Sequence, residues 1–132
     1  NNPRVMFDDA PLAEQILGRV RAHLPTRLEG DWVLAGANER LRCYRYAPGQ
    51  RFAPHYDGAY FRSATERSLL TFLVYLSACD AGGETTFLDL ELSVRPTPGQ
   101  ALLFNHHLLH EGSEVKAGLK YVLRSDVMYR RA

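Results

Sequence analysis

The residues able to do chemistry stand at wide intervals in this chain: His55-Tyr56-Asp57, then His110, then Lys120. In a His-x-Asp triplet on a strand, the imidazole and the carboxylate point the same way, because side chains alternate with a period of two. A second, distant imidazole would complete one face of an octahedron and leave three positions open. Two His and one carboxylate in that arrangement form the ligand set of non-haem Fe(II) oxygenases, which bind a cosubstrate and O2 at the open positions. Alone, a His-x-Asp is a weak signal and more often a surface pair. His106, His107 and His110 compete for the third place. His110 is preferred because Glu111-Gly112 lets the chain turn away after it, and because a lysine follows at a useful spacing.

That lysine needs a reason to be where it is. On a strand, Lys120, Val122, Arg124 and Asp126 share one face, and Tyr121, Leu123 and Val127 share the other. Both faces are partly apolar, so the strand is expected to be buried on two sides. A buried cation is costly unless an anion pairs with it. The carboxylate of a bound cosubstrate suits Lys120; Arg124 is the alternative anchor or a helper. The plainer reading is a structural ion pair, Arg124 with Asp126 or Glu84. Tyr46 enters the same turn as His55, and its hydroxyl can reach the same carboxylate. Tyr75 sits in the apolar run Leu69-Leu70-Thr71-Phe72-Leu73-Val74-Tyr75-Leu76. For both tyrosines the plainer reading is a core aromatic with a satisfied hydroxyl.

The elements that would position these groups follow from periodicity. Asp9 caps a helix and Pro11 suits its first turn. Leu12, Ala13, Ile16, Leu17, Val20 and Leu24 recur at helical spacing until Pro25 ends it. After Gly36 the pattern turns to β: residues 41–46, 51–57, 68–77, 84–88, 92–95, 100–105, 108–111 and 120–129 read as strands. Gly and Pro punctuate them, as at Pro48-Gly49, Gly82-Gly83 and Pro98-Gly99. Residues 58–65 read as a loop. Short strands so punctuated predict a sandwich or jelly roll with the helix packed outside, and such folds hold small ligands at the mouth.

Composition bounds the rest. At 132 residues the chain makes a single domain, 1–132. A formal net charge of +1 gives no reason to expect nucleic acid or an anionic membrane as partner. No apolar run approaches the roughly 20 residues of a membrane-spanning helix. Cys43 and Cys79 lie in apolar runs and are expected to be unpaired thiols, which suits a reducing, cytoplasmic setting. The start, Asn1-Asn2-Pro3-Arg4, has neither Met nor a signal pattern, so a piece trimmed at its N-terminus is expected.

Several segments together resemble the prolyl 4-hydroxylase type of Fe(II)/2-oxoglutarate-dependent dioxygenase. They are Tyr46-Ala47-Pro48-Gly49-Gln50-Arg51-Phe52-Ala53-Pro54-His55-Tyr56-Asp57, Gly82-Gly83-Glu84-Thr85-Thr86-Phe87, Pro98-Gly99-Gln100-Ala101-Leu102-Leu103-Phe104, His110-Glu111-Gly112 and Gly118-Leu119-Lys120-Tyr121. The resemblance implies a mainly β double-stranded β-helix. It implies His55, Asp57 and His110 as Fe(II) ligands, Lys120 holding the distal carboxylate of 2-oxoglutarate, and Tyr46 and Tyr75 as further contacts. It implies a hydroxylase that uses O2 on a peptidyl or small-molecule substrate and releases succinate and CO2. The segment Gly58-Ala59-Tyr60-Phe61-Arg62-Ser63 departs from the collagen-modifying members, so proline does not carry over as substrate. Tyr60, Phe61 and Arg62, with Arg42 and Tyr44, are candidate substrate contacts. Oligomeric state is open. The rival readings are a cupin-like metalloenzyme without 2-oxoglutarate, an inactive jelly-roll binding module and, more weakly, a zinc hydrolase. A buried Lys120 would argue against all three.

Overall fold

The computed structural model describes residues 3–132; Asn1 and Asn2 lie outside the described residues. One helix, α1 (Ala10–Gly18), precedes most of the β structure. The strands are β1 (Arg4–Asp8), β2 (Arg27–Leu28), β3 (Trp32–Ala37), β4 (Arg40–Tyr46), β5 (Phe52–His55), β6 (Phe61–Ser63), β7 (Glu66–Tyr75), β8 (Ala81–Gly82), β9 (Thr85–Phe87), β10 (Leu92–Val94), β11 (Ala101–Asn105), β12 (His110–Gly112), β13 (Val115–Ala117) and β14 (Lys120–Arg130).

The long strand β14 organises the larger sheet. From Val122 to Arg130 it pairs with β7. On its other edge, its first half pairs with β4, from Lys120↔Tyr46 to Arg124↔Arg42, and its second half pairs with β3. Irregular register near Val127 and Met128 marks the change of partner. β1 extends the sheet beyond β4, β2 beyond β3, and β11 and β6 lie along the far side of β7. The smaller sheet runs β10-β9-β12-β5, and β8 pairs with β13. All pairings are antiparallel, and the two sheets face each other as a mainly β jelly roll.

Period-two alternation sorts the larger sheet into two cores. Leu41, Phe72, Leu123 and Val127 face outward with Ala13 and Leu17 of α1. Tyr44, Tyr46, Tyr75 and Val122 face inward, toward the smaller sheet. The helix is therefore an outer layer, as its spacing predicts. Asp9 caps it by accepting from the Leu12 N–H at 3.0 Å, a bond worth about 1 kcal/mol. The Glu14 carboxylate accepts from the Ala37 N–H at 2.9 Å and ties helix to sheet.

Four local features differ from the sequence reading. The helix stops at Gly18, not near Leu24, because Gly is a poor helix former and the last bonds tighten. Arg19 and Val20 donate to the carbonyls of Ile16 and Leu17, and a separate 3₁₀ turn spans Arg21–His23. Leu24 is buried regardless. β structure begins well before Gly36, with β1 and the β2–β3 hairpin; Glu29 and Gly30 turn that hairpin with positive φ of 48° and 89°. The stretch read as the loop 58–65 contains β6, which pairs with the start of β7. β13 was not anticipated.

Candidate active site

The cavity between the sheets measures about 470 Å³, open mouth included. The larger sheet contributes Tyr44, Tyr46, Thr71, Lys120 and Arg124 to it, and the smaller contributes His55, Thr85 and His110.

β5 and β12 pair with His55 directly opposite His110, which sets the two imidazoles side by side with centroids 4.3 Å apart. Each ring is oriented by a carbonyl. His55 Nδ1 lies 2.7 Å from the Ala53 oxygen, and His110 Nδ1 lies 2.9 Å from the Leu108 oxygen. A carbonyl only accepts, so each Nδ1 carries a proton, and Nε2 is the ring atom turned into the cavity. Both Nε2 atoms then converge on one carboxylate: His55 Nε2 is 3.4 Å from Asp57 Oδ1, and His110 Nε2 is 3.5 Å from Asp57 Oδ2. One donor atom from each of the three residues lies within 4.8 Å of the others.

Asp57 reaches this place by a different route from the one its spacing suggests. β5 ends at His55, so Asp57 is not part of the strand. Its N–H instead donates to the His106 carbonyl at 3.1 Å. The Thr71 hydroxyl donates to its Oδ2 at 2.6 Å, and an Arg124 nitrogen stands 3.9 Å from the same oxygen. Burial would raise the Asp57 pKa, but His55, Arg124, Thr71 and His110 together hold the carboxyl well below the usual range. Burial lowers the His110 pKa and keeps that ring neutral.

His106 is not a ligand. It is buried, and both ring nitrogens are taken by hydroxyls: Nδ1 by Thr71 at 2.9 Å and Nε2 by Ser68 at 2.8 Å. Burial lowers its pKa. His107 is exposed. Sequence reasoning missed Thr71 and Ser68. The available signal was two hydroxyls placed in an otherwise apolar strand.

Lys120 is 2% exposed. Among the described residues no carboxylate lies within ion-pair distance of it. Its ammonium lies 4.9 Å from the Tyr46 ring centre and 6.0 Å from that of Tyr75. Burial pulls its pKa down to about 8, against smaller opposing effects from Cys79 and Glu84. Arg124, the alternative anchor, also lines the cavity; it donates to Asp126 at 3.2 Å and faces Asp57, while its buried Nε has no partner among the described residues. The expected ion pair with Asp126 is present, whereas Lys120 has no carboxylate partner among the described residues.

Tyr46 lines the cavity, and burial raises its pKa. Tyr75 does not line it. The Tyr75 hydroxyl contacts Thr85 Oγ1 at 2.5 Å, so Thr85 is the group presented to the cavity and Tyr75 stands behind it. Of the candidate substrate contacts, Tyr44 lines the cavity. Arg62 is paired with Glu39 and Glu66, and Phe61 lies under the Arg67 guanidinium at 4.7 Å. Neither residue lines the cavity, nor does Arg42. Phe52, unremarked in the sequence, stacks on His55 at 3.9 Å. Cys43 and Cys79 are unpaired.

Two imidazoles and an ionised carboxylate on one side of a cavity fit a divalent iron, and a buried cation nearby fits a diacid cosubstrate. Comparison with known proteins agrees. The chain is 41% identical over 73 residues to probable prolyl 4-hydroxylase 11 of Arabidopsis thaliana, covering 50% of this chain and 24% of that protein. It is 34% identical over 100 residues to human prolyl 4-hydroxylase subunit alpha-3, covering 64% and 18%. The match thus spans a quarter or less of these relatives. A viral collagen prolyl hydroxylase from Paramecium Bursaria Chlorella virus-1, solved with 2OG, superposes with a TM-score of 0.75 at 26% identity, covering 100% of this chain and 81% of that one. Residues 41–125, which run from β4 through the triad to Arg124, match the 2OG-Fe(II) oxygenase superfamily, and the chain belongs to that family, whose members use Fe(II), 2-oxoglutarate and O2.

Proposed function

We propose that this chain forms the catalytic domain of an Fe(II)- and 2-oxoglutarate-dependent hydroxylase that acts on an unactivated C–H. The substrate is peptidyl or a small molecule; the prolyl hydroxylases among its relatives favour a peptide. His55, Asp57 and His110 would hold the metal, and Lys120 with Tyr46 would hold the distal carboxylate of 2-oxoglutarate. One observation carries the reading: Lys120 is a buried, unpaired cation in the same cavity as the triad.

Held by His55, Asp57 and His110, iron would supply oxygen activation, with 2-oxoglutarate and O2 giving succinate, CO2 and the hydroxylated substrate. The chain's own groups prepare for it. Ala53 and Leu108 aim the two imidazoles, and Thr71 fixes the carboxylate. Lys120 neutralises the diacid in a place where a lone charge is otherwise disfavoured. Thr85 and Tyr44 shape the walls, and Phe52 screens His55 from water on one face. A cupin-like enzyme or binding module without 2-oxoglutarate leaves the buried lysine without a role.

The test is succinate formation from 2-oxoglutarate, with O2 uptake, by purified protein supplied with Fe(II). The wild type is expected to show uncoupled turnover that a substrate peptide stimulates. Asp57→Ala and Lys120→Met should each abolish most of it. Equal turnover by Lys120→Met and the wild type would sink the assignment.

A further inference from the structure

Behind the metal carboxylate lies a run of hydrogen bonds whose direction can be assigned atom by atom. The Tyr60 N–H donates to Ser68 Oγ at 2.8 Å. Ser68 Oγ contacts His106 Nε2 at 2.8 Å. His106 Nδ1 contacts Thr71 Oγ1 at 2.9 Å, and the Thr71 hydroxyl donates to Asp57 Oδ2 at 2.6 Å. A backbone N–H can only donate, and an ionised carboxylate can only accept. Each hydroxyl has one proton. Thr71 gives its proton to Asp57, so its oxygen must receive one from His106 Nδ1. The opposite nitrogen, Nε2, then accepts the Ser68 proton, and the Ser68 oxygen accepts from Tyr60. The only pattern that satisfies every atom is a neutral His106 protonated on Nδ1.

The same accounting separates the two oxygens of Asp57. Oδ2 accepts from Thr71 and has Arg124 beside it at 3.9 Å. Oδ1 faces the His55 Nε2 at 3.4 Å and receives neither. One lone pair of Oδ2 is thus engaged beside a cation, while Oδ1 accepts no hydrogen bond from the described residues and is the freer of the two oxygens.

We propose that His106 is a positioning residue: acting through Thr71, it engages Asp57 Oδ2, fixes the rotation of the carboxylate and turns the freer Oδ1 toward the metal. His106 touches neither metal nor substrate. It is 3% exposed, its carbonyl accepts the Asp57 N–H at 3.1 Å, and it therefore grips Asp57 at both the backbone and the carboxylate. The proposal rests on the reading of His55, Asp57 and His110 as metal ligands. Partners that orient a ligand in this way are typically worth about 10–100-fold in metal affinity.

Titration of the metal-free protein with Mn(II), followed by the loss of the free-ion EPR signal, tests it. Thr71→Val keeps the shape and removes the hydroxyl; His106→Leu removes both nitrogens. Each is expected to weaken Mn(II) binding about tenfold or more. Thr71→Ser restores the donor to Asp57. His106→Asn restores a donor where Nδ1 stood, and both variants should keep most of the affinity. Rescue by these two separates positioning from packing, which neither substitution preserves. Nitrogen-15 spectra of the metal-free wild type should show His106 protonated at Nδ1 and bare at Nε2. Unchanged Mn(II) affinity in Thr71→Val, or a proton on Nε2, would overturn the proposal. If His106→Leu does not fold, Thr71→Val and the tautomer carry the decision. Failure of the wild type itself to bind Mn(II) would instead overturn the ligand reading, and the tautomer measurement would still stand on its own.

Discussion

At the scale of single residues, Lys120 sets a conflict between charge and burial that a ligand resolves. Its folded pKa of about 8 lies below its ordinary value of 10.5. Between those values the unfolded chain binds more protons than the folded one, so stability rises as pH goes from about 8 to 10.5. Lys120→Met should therefore raise the unfolding free energy measured by chemical denaturation at pH 7, by on the order of 3 kcal/mol at most, and remove that slope. The same substitution should abolish 2-oxoglutarate binding measured by calorimetry. In the wild type, affinity for the diacid should fall as pH rises past about 8, because binding then requires the lysine to take up a proton. The three residues that converge in the cavity, and the lysine beside them, were legible in the sequence as a widely spaced set, since each alone has a plainer reading and only their order and spacing together stand out. The residues that hold them were not. Ser68, Thr71 and His106 acquire their roles only when β7 and the segment after β11 are brought together, and no local spacing encodes that.

At the scale of elements, the turn at Gly82-Gly83 fixes the stem of the anchoring lysine. Both residues have positive φ, 74° and 77°. A Cβ on Gly83 would sit 3.1 Å from Cys79 Sγ and 3.3 Å from Lys120 Cδ. Gly83→Ala is expected to cost about 1–3 kcal/mol in urea denaturation and to weaken 2-oxoglutarate binding, because the lysine stem must give way. Gly82→Ala should cost more: its Cβ would meet the Glu114 carbonyl oxygen at 2.3 Å, and backbone in the β8–β13 pair cannot yield as a side chain can. Among the elements, β4, β7, β11 and β14 were readable because their residues alternate or are apolar throughout. β1 was not, because every residue in it is exposed and an edge strand with no buried face leaves no pattern. The early end of α1 was hidden by apolar spacing that continues through Val20 and Leu24 into a tighter turn.

At the scale of the whole molecule, the two sheets are unequal. The larger is backed by α1 and an apolar core; the smaller consists of short strands, and β5 and β10 are largely exposed. The two imidazoles of the triad come from the smaller sheet, Asp57 from the segment after β5 and the lysine from the larger sheet, so a bound metal with its diacid would join the two. Addition of Mn(II) and 2-oxoglutarate should therefore slow amide hydrogen exchange in β5 and β12, while β7 and β14 change little. At metal concentrations of 100 times Kd the overall gain should be about 2.7 kcal/mol, seen as a rise in Tm.

The chain's one tryptophan, Trp32, lies in the outer core beneath the guanidinium of Arg131 at 4.8 Å, on the side of the larger sheet away from the cavity. Tyr44 and Tyr46 line the cavity itself. The single indole therefore reports on the helix-covered side alone: its emission follows the unfolding of that side and should change little when the pocket fills. A single cuvette can thus distinguish a variant that has lost its ligand from one that has lost its shape.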